Sequence, residues 1–490
     1  MQKIKTDSDI GIKEDILKKI IYDRIKRIDR YGHTQGLTIP DKRQYPVIPF
    51  GRAPFIITEI KRCSPSRGNI AGGMDIYLQA EKYVKQGSRN ISVLTEEQYF
   101  GGSLSDLMTI KARFPQISIL RKDFLLDEAD VDVSYRAGAD AVLLIAGILD
   151  DVTLRLMYDK TKELGIAALV EVHSLEELER ISVLEPEFVG INSRDLVSFN
   201  VDILTPVKLR RHISWDARVV FESGLWEFYH AYFASSSGAA GILVGEALMR
   251  EPERFEGLAA GLSAGQRTRA EGQSFWQYLM VRLEKHRPLV KICGLTREED
   301  VAFADRLGAD LLGFVLADSP RRVNRDFLST IGRTQAKKIG VVVEGQGISI
   351  EDAVALVKDG LLDALQFHGD EPKERLMSLD IPWYKAARIE DVSDMDSALA
   401  YNSPRLLIDA KSEHAYGGTG KSIDDSLIDY AKTKTSLWIA GGLSPDNIKN
   451  IVRKYNPELV DVSSGVEESP GKKDKAKLKQ FFEELFDAAL

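Results

Sequence analysis

Short apolar runs rich in Val, Ile and Leu recur along most of the chain and alternate with charged amphipathic segments. The first eight runs, each far enough from the next for one helix and two loops, are residues 55–61, 90–95, 117–122, 141–145, 167–172, 188–192, 218–223 and 241–245. Continuous apolar strands separated by helices are typical of a parallel sheet covered on both faces. Eight such units predict a closed (β/α)8 barrel.

A second set of eight runs follows, at residues 289–293, 311–315, 338–343, 364–368, 383–387, 405–409, 436–440 and 459–463. A weak internal repeat links the two sets, because GADAVLL at 138–144 is echoed by GADLLGF at 308–314. We therefore predict an α/β protein of two tandem (β/α)8 TIM barrels. One or two open doubly wound sheets are the alternative, since they share the strand–helix rhythm. No GxGxxG sequence follows the first run of either set, which favours the barrels.

Residues 1–50 have a different pattern, in which isoleucines recur near helical spacing among Lys, Arg and Asp. This pattern predicts a helical extension at the N-terminus of the first barrel. A weakly apolar stretch at 264–272 separates the two sets of runs. We assign residues 1–262 to the first domain, 263–288 to a connecting segment and 289–490 to the second domain.

Composition excludes several classes of protein. The net charge of −8 disfavours a protein that coats nucleic acid or a membrane surface. The two cysteines, Cys63 and Cys293, are too few for a disulfide framework or a cysteine-based zinc site. There is neither an apolar signal segment nor a run long enough to span a bilayer. We expect a cytoplasmic protein with no nucleic-acid or membrane partner.

Ionisable side chains end many of the apolar runs, which is where barrels place their chemistry. In the first set these positions hold Glu59, Lys61, Lys122, Glu171, Asn192, Glu222 and Ser223. Any one of them could be a solvated or structural ion. A ring of opposite charges, however, shifts pKa values and can supply both a general acid and a general base.

Glycines follow the seventh and eighth runs of both sets. They lie in Ser223-Gly224 and at Gly245 in the first half, and in Gly441-Gly442 and Ser464-Gly465 in the second. A lone glycine pair is usually a turn. At this place in a barrel, glycine lets backbone N–H groups approach an anion, so we predict a phosphate site in each half.

The second set ends in a different group of side chains, namely Lys291, Cys293, Arg321, His368, Asp409 and Asp461. A strand cysteine is usually an inert buried thiol, and a lone histidine is usually structural. A cysteine at a barrel mouth with a carboxylate on another strand could instead act as a thiolate base. GGTGKS at 417–422 lacks phosphate-loop spacing, so we interpret it as a mobile glycine loop near this site.

These motifs resemble two enzyme families of tryptophan biosynthesis. The first half resembles indole-3-glycerol phosphate synthase through ITEIKRCSPSRG (57–68), SVLTE (92–96), LRKDF (120–124), LVEVH (169–173), GINSRDL (190–196), FESG (221–224) and VGEALM (244–249). The second half resembles phosphoribosylanthranilate isomerase through KICGLT (291–296), DSPRRV (318–323), LQFHGDE (365–371), the segment 406–424, AGGLSPDNI (440–448) and VDVSSGVEESPGKKD (460–474). Ser193 and Phe367 depart from the common family residues without replacing a proposed acid or base.

The synthase resemblance implies closure of an indole ring with loss of carbon dioxide and water. Lys122 matches the general acid for ring closure, and Glu171 matches the acid/base of the dehydration. Glu59, Lys61 and Asn192 are also counted with the catalytic residues. The positions implied to hold the substrate or its phosphate are Lys61, Phe124, Arg194, Glu222, Ser223, Gly224 and Gly245. The N-terminal extension is implied to help cover this site.

The isomerase resemblance implies an Amadori rearrangement, with Asp409 as the acid and Cys293 as the base. Arg321 matches a residue that steers the anthranilate carboxylate. Further substrate and phosphate positions are His368, Gly441, Gly442, Asp461, Ser464 and Gly465. The resemblance implies no metal or organic cofactor and phosphorylated anthranilate substrates. A monomer with both barrels docked in one chain is one interpretation, and the sequence leaves the oligomeric state open.

Two other hypotheses stay open at this stage. The barrels could house a Schiff-base aldolase, with Lys122 or Lys61 as nucleophile. One barrel could also be a degenerate scaffold or a regulatory binding module.

Overall fold

The computed structural model describes residues 16–64, 68–69, 75–195, 200–270, 274–284, 287–410 and 424–489. Within these residues the chain forms two closed barrels of eight parallel strands each, which confirms the predicted fold class. Two short antiparallel hairpins lie outside the barrels, Cys63–Ser64 with Gly68–Asn69 and Glu467–Ser469 with Lys472–Lys473. No helix among the described residues is long and apolar enough to cross a membrane.

The first barrel consists of the strands Phe55–Ile60, Asn90–Leu94, Ser118–Lys122, Ala141–Ile145, Ala167–Val172, Phe188–Asn192, Arg218–Glu222 and Gly241–Val244. Each strand pairs in parallel with its neighbour, and the barrel closes where Phe55 lies opposite Gly241. Phe50, Phe55 and Phe188 meet edge to face, with ring centroids 5.1 to 6.3 Å apart. Since Phe55 begins its strand and Phe188 begins another, this aromatic cluster closes the amino-terminal end of the barrel.

The second barrel consists of the strands Leu289–Cys293, Leu311–Val315, Lys337–Val342, Ala364–Phe367, Trp383–Ile389, Leu406–Ala410, Trp438–Ile439 and Leu459–Val462. It closes where Leu289 lies opposite Leu459. Val290 and Ile292 belong to the apolar cluster beneath the helices. Lys291 and Cys293 therefore face the barrel interior, because side chains alternate along a strand.

Helices follow most strands. In the first half they are Ile16–Tyr31, Ile76–Lys85, Leu104–Arg113, Glu128–Ala137, Asp151–Leu164, Leu175–Ser182, Thr205–Arg210, Phe228–Ser236, Glu246–Arg250 and Arg254–Ala270. In the second they are Phe275–Leu283, Glu298–Leu307, Arg325–Thr330, Ile350–Lys358, Lys373–Leu376, Val392–Leu399, Asp425–Lys432, Ile448–Tyr455 and Lys475–Ala489. Parts of two helices thus occupy the segment predicted to connect the domains. The predicted N-terminal helix is present over Ile16–Tyr31.

The Gly-Ala-Asp repeat has the same structural role in both barrels. Gly138 and Gly308 end the helices Glu128–Ala137 and Glu298–Leu307 with φ of 105° and 94°, a left-handed conformation that favours glycine. The aspartates two residues later, Asp140 and Asp310, accept hydrogen bonds from the strand amides of Ile119 and Val290 at 2.8 and 2.9 Å. The repeat therefore fixes a helix end against a strand in each half.

Candidate active sites

Four charged side chains meet at the carboxyl end of the first barrel. Lys122 ends the third strand, and its Nζ lies 3.0 Å from Glu222 Oε2, 3.4 Å from Glu59 Oε2 and 3.9 Å from Glu171 Oε2. The three carboxylates come from the first, fifth and seventh strands, so residues more than a hundred positions apart share one small space. The predicted ring of opposite charges is present.

Burial and mutual attraction set the protonation of this ring. Burial lowers the pKa of Lys122, but the three carboxylates outweigh it and hold the pKa well above its usual range. Burial likewise raises the pKa of Glu59, and the attraction of Lys61 (2.6 Å away) and Lys122 overcomes it to give a pKa of about 2. Both groups are therefore charged at neutral pH.

Glu171 and Glu222 are shifted in opposite directions. Burial raises the pKa of Glu222, and the neighbouring negative charge of Glu171 adds to this. Burial acts on Glu171 too, but contacts with His173 and Lys122 lower its pKa. Like charges in one buried site cannot both ionise cheaply, so Glu222 keeps a proton and Glu171 is the ionised partner.

A cavity opens above the ring. The predicted site residues that line it are Glu59, Lys61, Lys122, Phe124, Glu171, Asn192, Arg194, Ser223, Gly224 and Gly245. The N-terminal helix contributes Ile16, Leu17 and Ile20 to the same wall. The helix Ile16–Tyr31 of the predicted extension therefore forms part of the cavity wall.

Ser223 and Gly224 form a left-handed turn beside this cavity. Their φ angles are 68° and 74°, and such a conformation is uncommon for a serine. Ser223 Oγ lies 2.7 Å from Asn192 Oδ1, which also accepts the amide N–H of Arg194 at 3.0 Å. Backbone strain of this kind is often stored at functional sites, and this turn borders the cavity.

Two glycines make room for the charged ring. A Cβ at Gly190 would lie 2.3 Å from Glu222 Oε1, and one at Gly245 would lie 2.4 Å from Glu59 Oε1. Glycine at these positions therefore lets the carboxylates approach the neighbouring strands.

In the second barrel, Lys291 lies at the centre of a buried polar network. Its Nζ donates to Asp461 Oδ2 at 2.6 Å and to Gln366 Oε1 at 2.5 Å, and it lies 3.6 Å from Cys293 Sγ. Tyr384 OH donates to the same Gln366 oxygen at 2.9 Å. The amide of Gln366 is thereby oriented, with its oxygen toward two donors.

That orientation sets the tautomer of His368. Gln366 Nε2 donates to His368 Nδ1 at 3.0 Å, so the ring proton resides on Nε2, which lies 3.5 Å from Asp409 Oδ2. Burial, with the positive charges of Lys385 and Lys291, lowers the pKa of His368 to about 3. His368 is therefore a neutral donor that faces the predicted acid.

Cys293, the predicted base, lies at the edge of this network, 3.6 Å from Lys291. Burial raises the pKa of its thiol, and the ammonium of Lys291 opposes the rise. Gly313 lies opposite Cys293 on the adjacent strand, and a Cβ there would lie 2.8 Å from the sulfur. Glycine at this position therefore leaves space for the thiol. A thiolate at this position has a cation beside it.

Arg321 is held by a partner that the sequence did not reveal. Its guanidinium donates to Glu467 from Nε at 3.0 Å and from Nη2 at 2.7 Å, and Lys473 Nζ donates to the same carboxylate at 2.9 Å. Lys473 also donates to the carbonyl of Cys293 at 2.6 Å. Arg321 is thus fixed close to the strand that carries the cysteine.

The glycines after the last two strands of this barrel lie in turns and in close contacts between backbone segments. Gly441 and Gly442 have φ of 83° and 65°. A Cβ at Gly465 would lie 1.9 Å from the carbonyl oxygen of Leu443, so the two loops pack backbone to backbone. The predicted glycine loop at 417–422 lies outside the described residues.

Comparison with known proteins assigns each barrel to a family. The family model for indole-3-glycerol phosphate synthase matches residues 48–258, and the model for N-(5'-phosphoribosyl)anthranilate isomerase matches residues 290–484. The tryptophan biosynthesis protein TrpCF of Vibrio parahaemolyticus is 30% identical, over 96% of this chain and 93% of that protein. The chain belongs to the TrpCF family.

Further similar proteins match either most of the chain or its second half. A multifunctional tryptophan biosynthesis protein of Schizosaccharomyces pombe is 31% identical over 96% of this chain, which spans 66% of that longer protein. A solved phosphoribosylanthranilate isomerase from Thermotoga maritima is 35% identical and is matched over 99% of its length and 41% of this chain, with a TM-score of 0.38.

Within this TrpCF-family chain, several polar residues of the two sites were not predicted from the sequence. They are His173, Glu177, Gln366, Glu467 and Lys473. His173 and Gln366 stand inside quoted motifs, each two positions from an assigned residue on the same strand face, and that spacing was the available signal. Glu467 lies 146 positions from Arg321, and no local pattern indicates such a pair.

Proposed function

We propose that the chain catalyses two consecutive steps of tryptophan biosynthesis, in the cytoplasm and as one polypeptide. The second barrel (289–490) would isomerise N-(5-phosphoribosyl)anthranilate to 1-(2-carboxyphenylamino)-1-deoxyribulose 5-phosphate. The first (1–262) would convert that product to indole-3-glycerol phosphate, carbon dioxide and water, with 263–288 as the connecting segment. The observation that carries this proposal is the cationic Lys122 within 4 Å of three carboxylates, in the barrel that matches the synthase family.

In the isomerase, Asp409 protonates the ribose ring oxygen as its bond to C1 breaks, which leaves an iminium. Cys293, as a thiolate, removes the proton from C2, and the resulting enolamine tautomerises to the ketone. Lys291, 3.6 Å from the sulfur, stabilises the thiolate. His368 donates from Nε2 toward Asp409 or the substrate, and Arg321 and Asp461 position the substrate from neighbouring strands.

In the synthase, the aromatic carbon that carries the carboxylate attacks the ketone carbon, and Lys122 protonates the oxygen as it becomes an alkoxide. Carbon dioxide then leaves, and the new hydroxyl departs as water with proton transfer by Glu171. The charged state of Lys122 argues against the aldolase hypothesis, because a Schiff base requires a neutral amine nucleophile. Glu59, Lys61, Asn192 and Arg194 orient the substrate, and Phe124 packs on its ring.

The phosphate in each barrel would be bound by backbone N–H groups of the glycine-containing loops. In the first barrel these are at Ser223, Gly224 and Gly245, which line the cavity. In the second they are at Gly441, Gly442, Ser464 and Gly465. Both positions follow the last two strands, where phosphate sites of such barrels lie.

The decisive experiment supplies phosphoribosyl anthranilate and follows anthranilate fluorescence together with indole absorbance. Cys293→Ala and Asp409→Ala should each stop only the first conversion. Lys122→Ala and Glu171→Gln should each stop only the second, so that the ketone intermediate accumulates. Isomerisation at the wild-type rate by Asp409→Ala would refute the assignment of the second barrel, and a borohydride-trapped adduct on Lys122 would refute its role as an acid.

A further inference from the structure

His173 lies between two carboxylates at the edge of the first site. Its Nε2 is 3.2 Å from Glu171 Oε1, and its Nδ1 is 3.4 Å from Glu177 Oε2. The side chain of His173 is 10% exposed and that of Glu171 is 4% exposed. This is a nearly buried row of three ionisable groups, one of which is the proposed acid/base of the synthase.

The local sequence builds this row. Glu171 and His173 are two positions apart at the end of the fifth strand, so both point to the same side. Ser174 then caps the helix Leu175–Ser182, and Glu177, the third residue of that helix, accepts the backbone N–H of His173 at 2.7 Å. The carboxylate of Glu177 is thereby fixed before it meets the imidazole.

A glycine on the neighbouring strand-end loop leaves space for that carboxylate. A Cβ at Gly147 would lie 2.7 Å from Glu177 Oε1. Gly147 has no positive φ that would otherwise demand glycine. Glycine at position 147 is therefore explained by the space that the Glu177 carboxylate needs beside it.

Two carboxylates near its ring nitrogens favour a charged His173; the contact between Nε2 and Glu171 Oε1 is an ion pair at 3.2 Å and not an aligned hydrogen bond. A neutral imidazole has one N–H and can serve one carboxylate, whereas an imidazolium serves both. Burial alone would lower the pKa of His173, but Glu171 and Glu177 outweigh it and raise the pKa to about 10. The other charged groups that face Glu171 are Lys122 and Glu222, on the inner side of the barrel.

The two oxygens of Glu171 consequently have separate surroundings. Oε1 faces His173, and Oε2 lies 3.9 Å from Lys122. Within the described part of the chain, Oε2 is buried and makes no hydrogen bond. Glu171 lines the cavity, and Oε2 is the oxygen on the side of Lys122, where it would exchange a proton with a bound substrate.

We propose that His173 is a positioning residue of the synthase: as an imidazolium between Glu171 and Glu177, it keeps Glu171 ionised and turns Oε2 toward the substrate. This inference rests on the proposed function of the first barrel. It adds a residue that acts through Glu171 and does not itself exchange protons with the substrate.

The first test measures the protonation of His173 without reference to activity. In protein labelled at its seven histidines, the His173 ring signal is assigned by its loss in His173→Asn and is followed by NMR from pH 5 to 10. We expect it to stay in the imidazolium form through pH 8. In Glu177→Gln its titration should move down toward 6.5, whereas Glu176→Gln, an exposed neighbour on the same helix, should leave it unchanged.

The second test follows synthase turnover against pH in the same proteins. Without the imidazolium, the pKa of Glu171 rises, so His173→Asn should move the acid limb of kcat to higher pH and lower kcat at neutral pH by about tenfold or more. Glu177→Gln should lose kcat as the pH rises above about 6.5, where its imidazole becomes neutral. Isomerase activity of the second barrel is the internal control and should not change.

The outcomes are separable. A wild-type His173 that titrates near pH 6.5, or a Glu177→Gln synthase profile that overlays the wild type, overturns the positioning role. Failure of the wild-type protein to form indole-3-glycerol phosphate overturns the proposed function, whatever the NMR titration shows. If His173→Asn does not fold, Glu177→Gln, which retains an acceptor for the backbone N–H, decides the question.

Discussion

The buried neutral histidine of the second barrel makes the stability of the fold depend on pH. His368 is almost fully buried, and its pKa falls from an ordinary 6.5 to about 3 because burial and nearby cations disfavour the imidazolium. The unfolded chain therefore takes up a proton near pH 6.5 that the folded chain refuses until about pH 3. Stability contributed by the neutral ring is complete above pH 6.5 and is lost progressively as the pH falls.

At mildly acidic pH, the loss of folding free energy depends mainly on the pKa of His368 in the unfolded chain. At pH 5 the unfolded histidine is 1.5 pH units below its pKa of 6.5, which at 1.36 kcal/mol per unit amounts to about 2 kcal/mol. Replacement by Asn removes the titrating group. His368→Asn should lose stability at pH 7.5 through its broken hydrogen bond to Gln366, and should then be about 2 kcal/mol less sensitive to the change from pH 7.5 to 5.

Urea unfolding at the two pH values measures this difference, followed by tryptophan fluorescence, to which the buried Trp383 and Trp438 of the second barrel contribute. His212→Asn, at an exposed histidine of the first half, is the matched control for loss of a histidine side chain, and its stability should change between the two pH values by the same amount as that of the wild type. If wild type and His368→Asn lose equal stability between pH 7.5 and 5, His368 is not held neutral. In that case Asp409 stabilises an imidazolium, and the tautomer inferred from Gln366 is wrong.

Two further substitutions test the first site by different routes. Gly190→Ala places a Cβ 2.3 Å from Glu222 Oε1, so it should displace that carboxyl from Lys122 and lower synthase turnover by about tenfold or more. The control is Gly257→Ala, whose Cβ meets nothing within 4 Å. It should stabilise its helix by at most about 1 kcal/mol and leave synthase turnover unchanged. Arg24→Met breaks the buried pair at 2.6 Å that joins the N-terminal helix to Asp130, a loss of about 3–5 kcal/mol that should loosen the helix and raise the synthase KM but not the isomerase KM.

The strands were predictable because each is a continuous apolar run. The first predicted run, 55–61, differs from the strand Phe55–Ile60 by one residue. The run at 436–440 contains a strand of only two residues, Trp438–Ile439, because the chain turns at Gly441 and Gly442 directly afterwards. The pattern of apolar residues thus predicts which segments are buried. It predicts less reliably how many residues of each segment form strand hydrogen bonds.

The positions of the charged side chains were predictable as well, since the strand ends of a parallel barrel all meet at one rim. Their pairing was not. From the sequence, Arg321 was expected to bind the anthranilate carboxylate of the substrate, whereas in the structure it forms an ion pair with Glu467. The resemblance to a family supplied roles for Lys122 and Cys293, but the contacts that set their protonation depend on distances between strands that a sequence does not contain.

Charge balance in the first ring explains how it can accept an anionic substrate. Lys61 and Lys122 are offset by Glu59 and Glu171, while burial and the negative charge of Glu171 raise the pKa of Glu222 against the attraction of Lys122. Among the described residues of this ring, no cation is left over to neutralise a phosphate. We therefore expect backbone N–H groups to contribute to phosphate binding together with Arg194, which lines the same cavity, and this is why we propose the phosphate site at the left-handed turn of Ser223.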